Sequence, residues 1–278
     1  MISGRTKLVA HIGHPTESFK APLVYNPWFE HVGADAVVVP MGVKAGDLAA
    51  ILRPLFRMSN ILGALITMPH KVEVVGLLDE VTTAVKVAGS CNAVRLEPDG
   101  RLTGDMFDGE GFVRGVLRKG RRLAGARALV VGSGGVGSAI AAALAGAGVA
   151  TLALADARPA SAEALAARLS AHHPGLEVVT GSTDPDGFDI VVNATPLGMT
   201  SGDPLPLDVE RIAPSALVGE VVMKEVHTPF LRAALARGCE VQVGTDMLFE
   251  MIPAYLEFFD LPVATPDRLR ALARLEPA

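Results

Sequence analysis

The sequence predicts an α/β protein of two domains: an N-terminal α/β domain and a C-terminal doubly wound domain, with the last helices returning to the first. Three observations carry this. Short apolar runs alternate with helix-forming segments along the chain, the pattern of a mostly parallel sheet covered by helices. The apolar run at residues 128–131 leads into Gly132-Ser133-Gly134-Gly135-Val136-Gly137 and then an Ala-rich segment, so strand, glycine turn and helix follow one another. A second strand-like run at residues 150–155 ends at Asp156, about 20 residues after the last of those glycines.

The glycine stretch fits G-x-G-x-x-G in the context that a dinucleotide fingerprint requires. Gly132 permits the tight turn, Gly134 lets the backbone approach a pyrophosphate, and Gly137 lets helix and strand pack closely. Ser133, Gly135 and Val136 complete the loop, where N–H groups at the helix start face the phosphates. Asp156 stands where a carboxylate receives the ribose hydroxyls of NAD, which makes the second domain Rossmann-type. Two other readings compete. Residues 128–155 carry no charge and could span a bilayer, but glycines at 132, 134, 135, 137, 146 and 148 argue against one continuous helix. An ordinary strand–turn–helix unit has no need of Asp156.

The chain has 278 residues, room for two domains, and half are hydrophobic, enough for a sizeable core. A net charge of −5 without a basic patch gives no sign of nucleic acid or an anionic membrane as partner. No long apolar stretch opens the chain, so no signal peptide is expected and a cytoplasmic location is. Cys91 and Cys239 offer no disulfide framework. The histidines form no H-x-x-x-H pair and there is no C-x-x-C, so no metal is expected. His70 reads as a surface residue, and His172-His173 as a solvated helix end. A small molecule is the expected partner of a monomer or homodimer.

In order, residues 7–12 read as a strand ending at Gly13, followed by a loop and a helix to His31. Residues 36–39 form a second strand. Asp47 caps a helix through residue 58, disturbed at Pro54. Residues 63–67 form a third strand, and residues 71–78 a helix. Residues 93–96 and 101–103 flank Pro98-Asp99-Gly100 as a hairpin. Residues 109–117 are helical and lead into the fingerprint. Beyond Asp156 come a helix at 161–171 and strands at 177–180, 189–195 and 216–222. A helix at 228–237 carries Pro229 in its first turn. A last strand at 240–243 precedes a helix at 246–258, interrupted at Pro253, and a final helix opened by Thr265. The domains are 1–106, completed by 246–278, and 107–245.

Several stretches resemble the shikimate dehydrogenase family, in its order and spacing, over nearly the whole chain. Ile66-Thr67-Met68-Pro69-His70-Lys71 is similar to V-T-x-P-x-K, whose lysine is catalytic. Ala88-Gly89-Ser90-Cys91-Asn92-Ala93 resembles A-G-A-x-N-T, which carries over Asn92 as a substrate residue beside Thr67. Gly104-Asp105-Met106-Phe107-Asp108-Gly109 resembles G-D-N-T-D-G, which carries over Asp108 as the lysine's catalytic partner. Asn193-Ala194-Thr195-Pro196-Leu197-Gly198-Met199 meets N-A-T-x-x-G-M at the nicotinamide side. Thr228-Pro229-Phe230 and Gly244-Thr245-Asp246-Met247-Leu248 complete the set, and the resemblance implies Val221, Gly244 and Met247 at the cofactor. The resemblance implies a substrate domain, a Rossmann domain and a cleft between them. Chemically the pair makes sense: a lysine within hydrogen-bond reach removes the hydroxyl proton as hydride leaves the carbinol carbon, and a carboxylate orients it.

The departures concern the substrate. Ser18-Phe19-Lys20-Ala21-Pro22 stands where the family has H-S-K-S-P, so both carboxylate-holding serines are gone, at Phe19 and Ala21. Leu65 replaces an asparagine, Phe107 a threonine, Met223 a tyrosine and Met251 a glutamine. A polar cage has become an apolar pocket for a cyclic substrate less polar than shikimate. Lys20, Ser18, Glu17 and Glu250 are candidates for new polar contacts. NADP-using members carry N-R-T/S after the second Rossmann strand; here Asp156-Ala157-Arg158 favours NAD over NADP. The alternatives are a genuine shikimate or quinate dehydrogenase with a rearranged anchor, and a dinucleotide-binding regulator without turnover.

Overall fold

The computed structural model describes residues 2–275. Contacts gather into two units: one of residues up to Lys86, Ser90–Phe107 and the stretch from Ile252, the other of Val87–Gly89 and Asp108–Met251. The division differs from the sequence-based one in two respects: residues 87–89 join the second unit, and the C-terminal return begins at Ile252 rather than 246. The last three residues of the span 246–278 lie outside the described residues.

The first unit contains β1 (Lys7–Gly13), α1 (Ala21–Val32), β2 (Ala36–Gly42), α2 (Leu48–Leu55), β3 (Ile61–Ile66), β4 (Glu80–Val81), β5 (Ala93–Leu96) and β6 (Leu102–Asp105); α3 (Thr83–Ala88) runs into residues of the second. Its six strands lie in the order β2-β1-β3-β5-β6-β4. β1 is parallel to β2 and β3, β6 to β4, and β5 is antiparallel to both β3 and β6, so the sheet is mostly parallel, as expected, with β5 alone reversed. The hairpin turn after β5 returns the chain to the common direction in β6. α1 buries Val24, Tyr25, Trp28 and Phe29, one helical stripe, and ends at Gly33 with φ 69°. α2 is shorter than expected, and Asp47 makes no side-chain cap bond. Residues 71–78 form no α-helix; only a 3₁₀ turn, Glu73–Leu77, appears. Val72, Val74, Val75 and Gly76 explain this, since β-branched residues and glycine are poor helix formers.

The second unit runs α4 (Asp108–Arg118), β7 (Arg127–Val131), α5 (Gly135–Gly146), β8 (Thr151–Ala155), α6 (Pro159–His172), β9 (Glu177–Thr180), β10 (Ile190–Asn193), β11 (Leu217–Glu220), α7 (Pro229–Ala236), β12 (Glu240–Gln242) and α8 (Gly244–Phe258). All its strand pairs are parallel, in the order β12-β11-β10-β7-β8-β9. Read from β9, this is the doubly wound order 3-2-1-4-5-6, whose ligand crevice lies where the order reverses, between β7 and β10. Both faces are covered. Val130 packs with Ile140, Leu144 and Leu154, while Leu129 packs with Val191, Val218 and Leu231. That is why β7, β8 and β10 read as unbroken apolar runs. The charge-free stretch at 128–155 is thus strand, helix and strand; no described helix is long and apolar enough to cross a membrane.

α8 continues through Pro253 where an interruption was expected, and its last seven residues belong to the first unit. α9 (Pro266–Leu272) follows, opened by the Thr265 hydroxyl, which accepts from Arg268 N at 3.3 Å. The return is tied down by chemistry within the first unit. Trp28 Nε1 donates to Pro262 O at 2.8 Å, and Arg95 donates to Phe258 O at 2.8 Å. Gly63 on β3 leaves room for the Phe259 ring, which any Cβ there would overlap.

Candidate active site

The lysine loop starts where β3 stops. Thr67 N donates to Ile12 O and His70 N to Thr67 O, each at 2.9 Å, which closes a turn directly before Lys71. His70 is fully buried, contrary to its sequence reading. Its Nε2 lies 2.8 Å from Val43 O and its Nδ1 3.3 Å from Glu73 Oε2. Two partners at fixed positions make it a strut for the loop. From the other side, Cys91 N donates to Lys71 O at 2.7 Å. Lys71 therefore has a pinned backbone and a half-buried side chain. Cys91 is buried, which pushes its thiol up to about 12, so it is packing rather than a nucleophile.

Asn92 is fully buried beside this loop, and its Oδ1 accepts from Phe107 N at 3.0 Å. The amide thus fixes the chain immediately before Asp108, the buried first residue of α4. The Phe107 ring does not line an open pocket. It packs edge-on against Tyr255 at 4.8 Å and Phe258 at 5.7 Å, as part of the first unit's core.

Four other substrate candidates gather in the first unit. Leu65 on β3 stands in register with His11 on β1, so the two side chains share one face of the sheet. Thr67 and the Phe19 ring both crowd Gly13, two residues beyond His11, so they lie on that face too. Ala21 is the buried first residue of α1. His11 was not singled out by sequence; a histidine at an inward position of an apolar strand was the available signal. It is 8% exposed, its ring centroid stands 4.1 Å from that of Phe19, and its Nδ1 has no hydrogen-bond partner. Burial, aided by the charge of Lys71, pulls its pKa down to about 3. Of the residues expected to replace the lost hydroxyls, Glu17 and Ser18 are exposed and Lys20 is the N-cap residue of α1. Glu250 is buried in the second unit, 3.3 Å from Arg118. Met223 and Met251 also belong to the second unit; Met251 packs its Cβ against Gly111 of α4.

The glycine loop fits a dinucleotide. Gly132 has φ 104°, and a Cβ on it would meet the Ala194 carbonyl. A Cβ on Gly137 would overlap Gly132 O, so helix and strand touch there. Beside Gly134 the space is open, and no side chain caps the start of α5. Ser133 Oγ is buried without a partner. The Asp156 carboxylate is held at the loop, accepting from Ser133 N at 2.7 Å and Arg158 N at 2.8 Å. Arg158 is largely exposed, with its Nε 3.9 Å from Asp156. On the far side of the sheet reversal, Asn193 ends β10. Its Oδ1 accepts from Thr195 N and Oγ, and its Nδ2 donates to Leu197 O at 3.0 Å, which shapes the Ala194–Pro196 turn. Met199 is exposed, Val221 packs on the core, and Gly244 fits under the Val222 carbonyl. Met247 is a core residue. Among the described residues, no cluster of three or more His, Cys, Asp or Glu could hold a metal.

Residues 11–94 match the family profile described as the shikimate dehydrogenase substrate binding domain. The shikimate dehydrogenase (NADP(+)) of Rubrobacter xylanophilus is 38% identical over 251 residues, covering 89% of this chain and 88% of that protein. The chain belongs to the shikimate dehydrogenase family. It is an oxidoreductase of CH–OH groups that uses a nicotinamide dinucleotide. Solved relatives within the same fold vary in what they act on. The quinate dehydrogenase of Corynebacterium glutamicum, solved with NAD, is 30% identical with a TM-score of 0.85, covering 96% of this chain and 98% of that one. The ligand-free 5-ketofructose reductase of Gluconobacter sp. strain CHM43 is 27% identical with a TM-score of 0.86, covering 97% and 98%.

One buried acid in this shikimate dehydrogenase-family chain was also missed by sequence. Glu220 ends β11, in register with Asn193, and is fully buried; Thr228 Oγ donates to its Oε2 at 2.9 Å. Burial pushes its pKa from 4.5 up to about 7, against hydrogen bonds from Thr228 and Asn193 that pull it down. The folded state then holds this proton more tightly than the unfolded chain. Its stabilisation is complete below pH 4.5 and is lost as pH rises through about 7. The loss is on the order of 3 kcal/mol at most, at about 1.36 kcal/mol per pH unit. Glu220→Gln should therefore gain in Tm relative to wild type between pH 5 and pH 8, measured as paired melting curves. Parallel Tm–pH profiles would refute this account of Glu220.

Proposed function

We propose that this enzyme interconverts an alcohol and a ketone on a cyclic substrate less polar than shikimate, with NAD preferred to NADP. The observation that carries the substrate reading is the joint position of Phe19, Leu65 and Thr67 on one sheet face, with Ala21 buried at the start of α1. Three of these four replace polar family residues. The likeness to a reductase of 5-ketofructose, a sugar without a carboxylate, supports the loss of an acid anchor.

In this reading Lys71 takes the hydroxyl proton during oxidation and returns it during reduction. Asp108 is the carboxylate that completes the family's catalytic pair. Asn92 holds the backbone ahead of Asp108, and Thr67 keeps the polar contact that remains. The nicotinamide, when bound, takes up or delivers the hydride. Asp156 supports NAD because its carboxylate accepts from ribose hydroxyls and repels a 2′-phosphate. Ala157 supplies no cation, and Arg158 is turned largely to solvent. The Rubrobacter relative is named for NADP(+), whereas the quinate dehydrogenase was solved with NAD. The expected result is a kcat/KM for NAD at least about tenfold above that for NADP, ~1.4 kcal/mol in transition-state terms. A value for NADP equal to or above that for NAD overturns the preference.

A second reading, a genuine shikimate or quinate dehydrogenase with a rearranged carboxylate anchor, is favoured by the 38% identity to the Rubrobacter enzyme. A regulator without turnover has no chemical use for Lys71 and Asp108 together. Shikimate, quinate and carboxylate-free ring alcohols assayed side by side with NAD distinguish the three.

A further inference from the structure

His11 lies outside every family motif described above and belongs to no packing scheme that needs a polar atom. An apolar residue would serve β1 better, since a buried nitrogen without a partner is a cost rather than a gain. It is more than nine-tenths buried, and its Nδ1 has no partner. It shares a sheet face with Leu65, lies tilted against the Phe19 ring, and feels the charge of Lys71. These are the residues of the substrate pocket, at the end of β1 where parallel strands offer their ligand crevice.

We propose that His11 is a specificity-determining residue, its Nδ1 hydrogen-bonding a neutral oxygen of the substrate, a ring hydroxyl or carbonyl, in the place from which the family's serine hydroxyls are missing. This deepens the reading above and rests on it. The argument for a neutral oxygen is electrostatic. Burial and Lys71 both oppose protonation of the imidazole and pull its pKa down to about 3, which favours the neutral ring. A neutral imidazole offers one donor and one acceptor, the complement of a hydroxyl, and no charge to balance a carboxylate. Phe19 and Leu65 on this face carry no polar side-chain atom, so a carboxylate there would lack the hydroxyls that hold it in the family. Phe19 covers the imidazole in this structure and sits in the loop between β1 and α1, so the substrate reaches Nδ1 by shifting that ring. The substrate class that results is a ring alcohol or ketone with at least one further neutral oxygen and no acid group.

The test compares wild type, His11→Leu and His11→Gln on pairs of ring alcohols that differ by one hydroxyl, together with shikimate and quinate, all with NAD. Leucine restores an apolar strand residue and should fold at least as well, checked by Tm. The expected result is a wild-type preference of about 10–100-fold in kcat/KM for the hydroxylated member of one pair. That preference collapses toward unity in His11→Leu and is partly restored in His11→Gln, with the KM for NAD unchanged throughout. A purely structural histidine would lower both members of each pair equally and leave their ratio alone. Turnover with an unchanged ratio in His11→Leu overturns this inference and leaves the proposed function standing. Efficient wild-type turnover confined to shikimate or quinate overturns both, and so does no turnover on any compound.

Discussion

Lys71→Ala should lower kcat by about 10²–10⁴-fold while leaving the affinity for NAD within a factor of about two of wild type. The lower figure is what general acid–base help is worth when water can partly substitute, and the upper when it cannot. The separation of the two readouts follows from the chain itself. Lys71 follows β3 in the first unit, held by Cys91 N and by the buried His70 turn, whereas the glycine loop and Asp156 belong to the second. Asp108→Asn should show the same split to a smaller degree, because it keeps the side chain's shape at the buried start of α4 and removes the charge. NADH fluorescence titration measures binding, and initial rates on the best substrate of the panel measure turnover. A Lys71→Ala enzyme with near-normal kcat would show that another group moves the proton.

Shikimate should be oxidised poorly, with a kcat/KM well below about 10⁴ M⁻¹s⁻¹. Its carboxylate would meet Phe19 and Ala21, and a ring hydroxyl would meet Leu65. Each unpartnered polar group costs roughly 1–3 kcal/mol, more if charged. Two such losses sum to about 2–6 kcal/mol, or roughly one and a half to four decades in rate if independent. The two groups belong to one small ring, which makes their effects overlap, so the expected loss lies in the lower half of that range. Phe107 contributes nothing to this figure, because its ring is committed to Tyr255 and Phe258. A carboxylate-free ring alcohol of the same size should be turned over faster by a similar factor. Efficient shikimate oxidation would establish the rearranged-anchor reading instead.

The second unit was legible because each of its features is local. Strand, glycine turn, helix and Asp156 follow one another within residues 128–156, and sheet burial on both faces leaves unbroken apolar runs. The first unit was harder. Its hairpin was plain from Pro98-Asp99-Gly100, but β4 and α3 lie in a segment, Glu80–Ala88, whose threonines and valines suit strand and helix about equally. The sense of a residue's surroundings was harder still. His70 beside Lys71 read as polar surface, yet Val43 O, 27 positions away, receives it inside the fold. His11 was not singled out at all, because only the register with Leu65 gives it company. Asp47, by contrast, carried the right residue type for a cap and makes no cap bond, since propensity states what a position permits rather than what the neighbours offer. Pro253 was read as a break, but α8 runs through it.

The seat of Phe259 against Gly63 has a bearing on biosynthesis. A growing chain emerges from the ribosome N-terminus first, so β1, β3 and Lys71 are made long before the ring that covers Gly63 exists. The second unit is nearly continuous, Asp108–Met251, and its partners all appear within one stretch of translation. It can condense while the first unit's sheet is still missing its C-terminal cover. A nonsense codon after residue 251 would therefore yield a polypeptide that has every proposed catalytic and cofactor residue, and yet leaves Gly63, Trp28 and Arg95 facing water in place of the groups built to meet them.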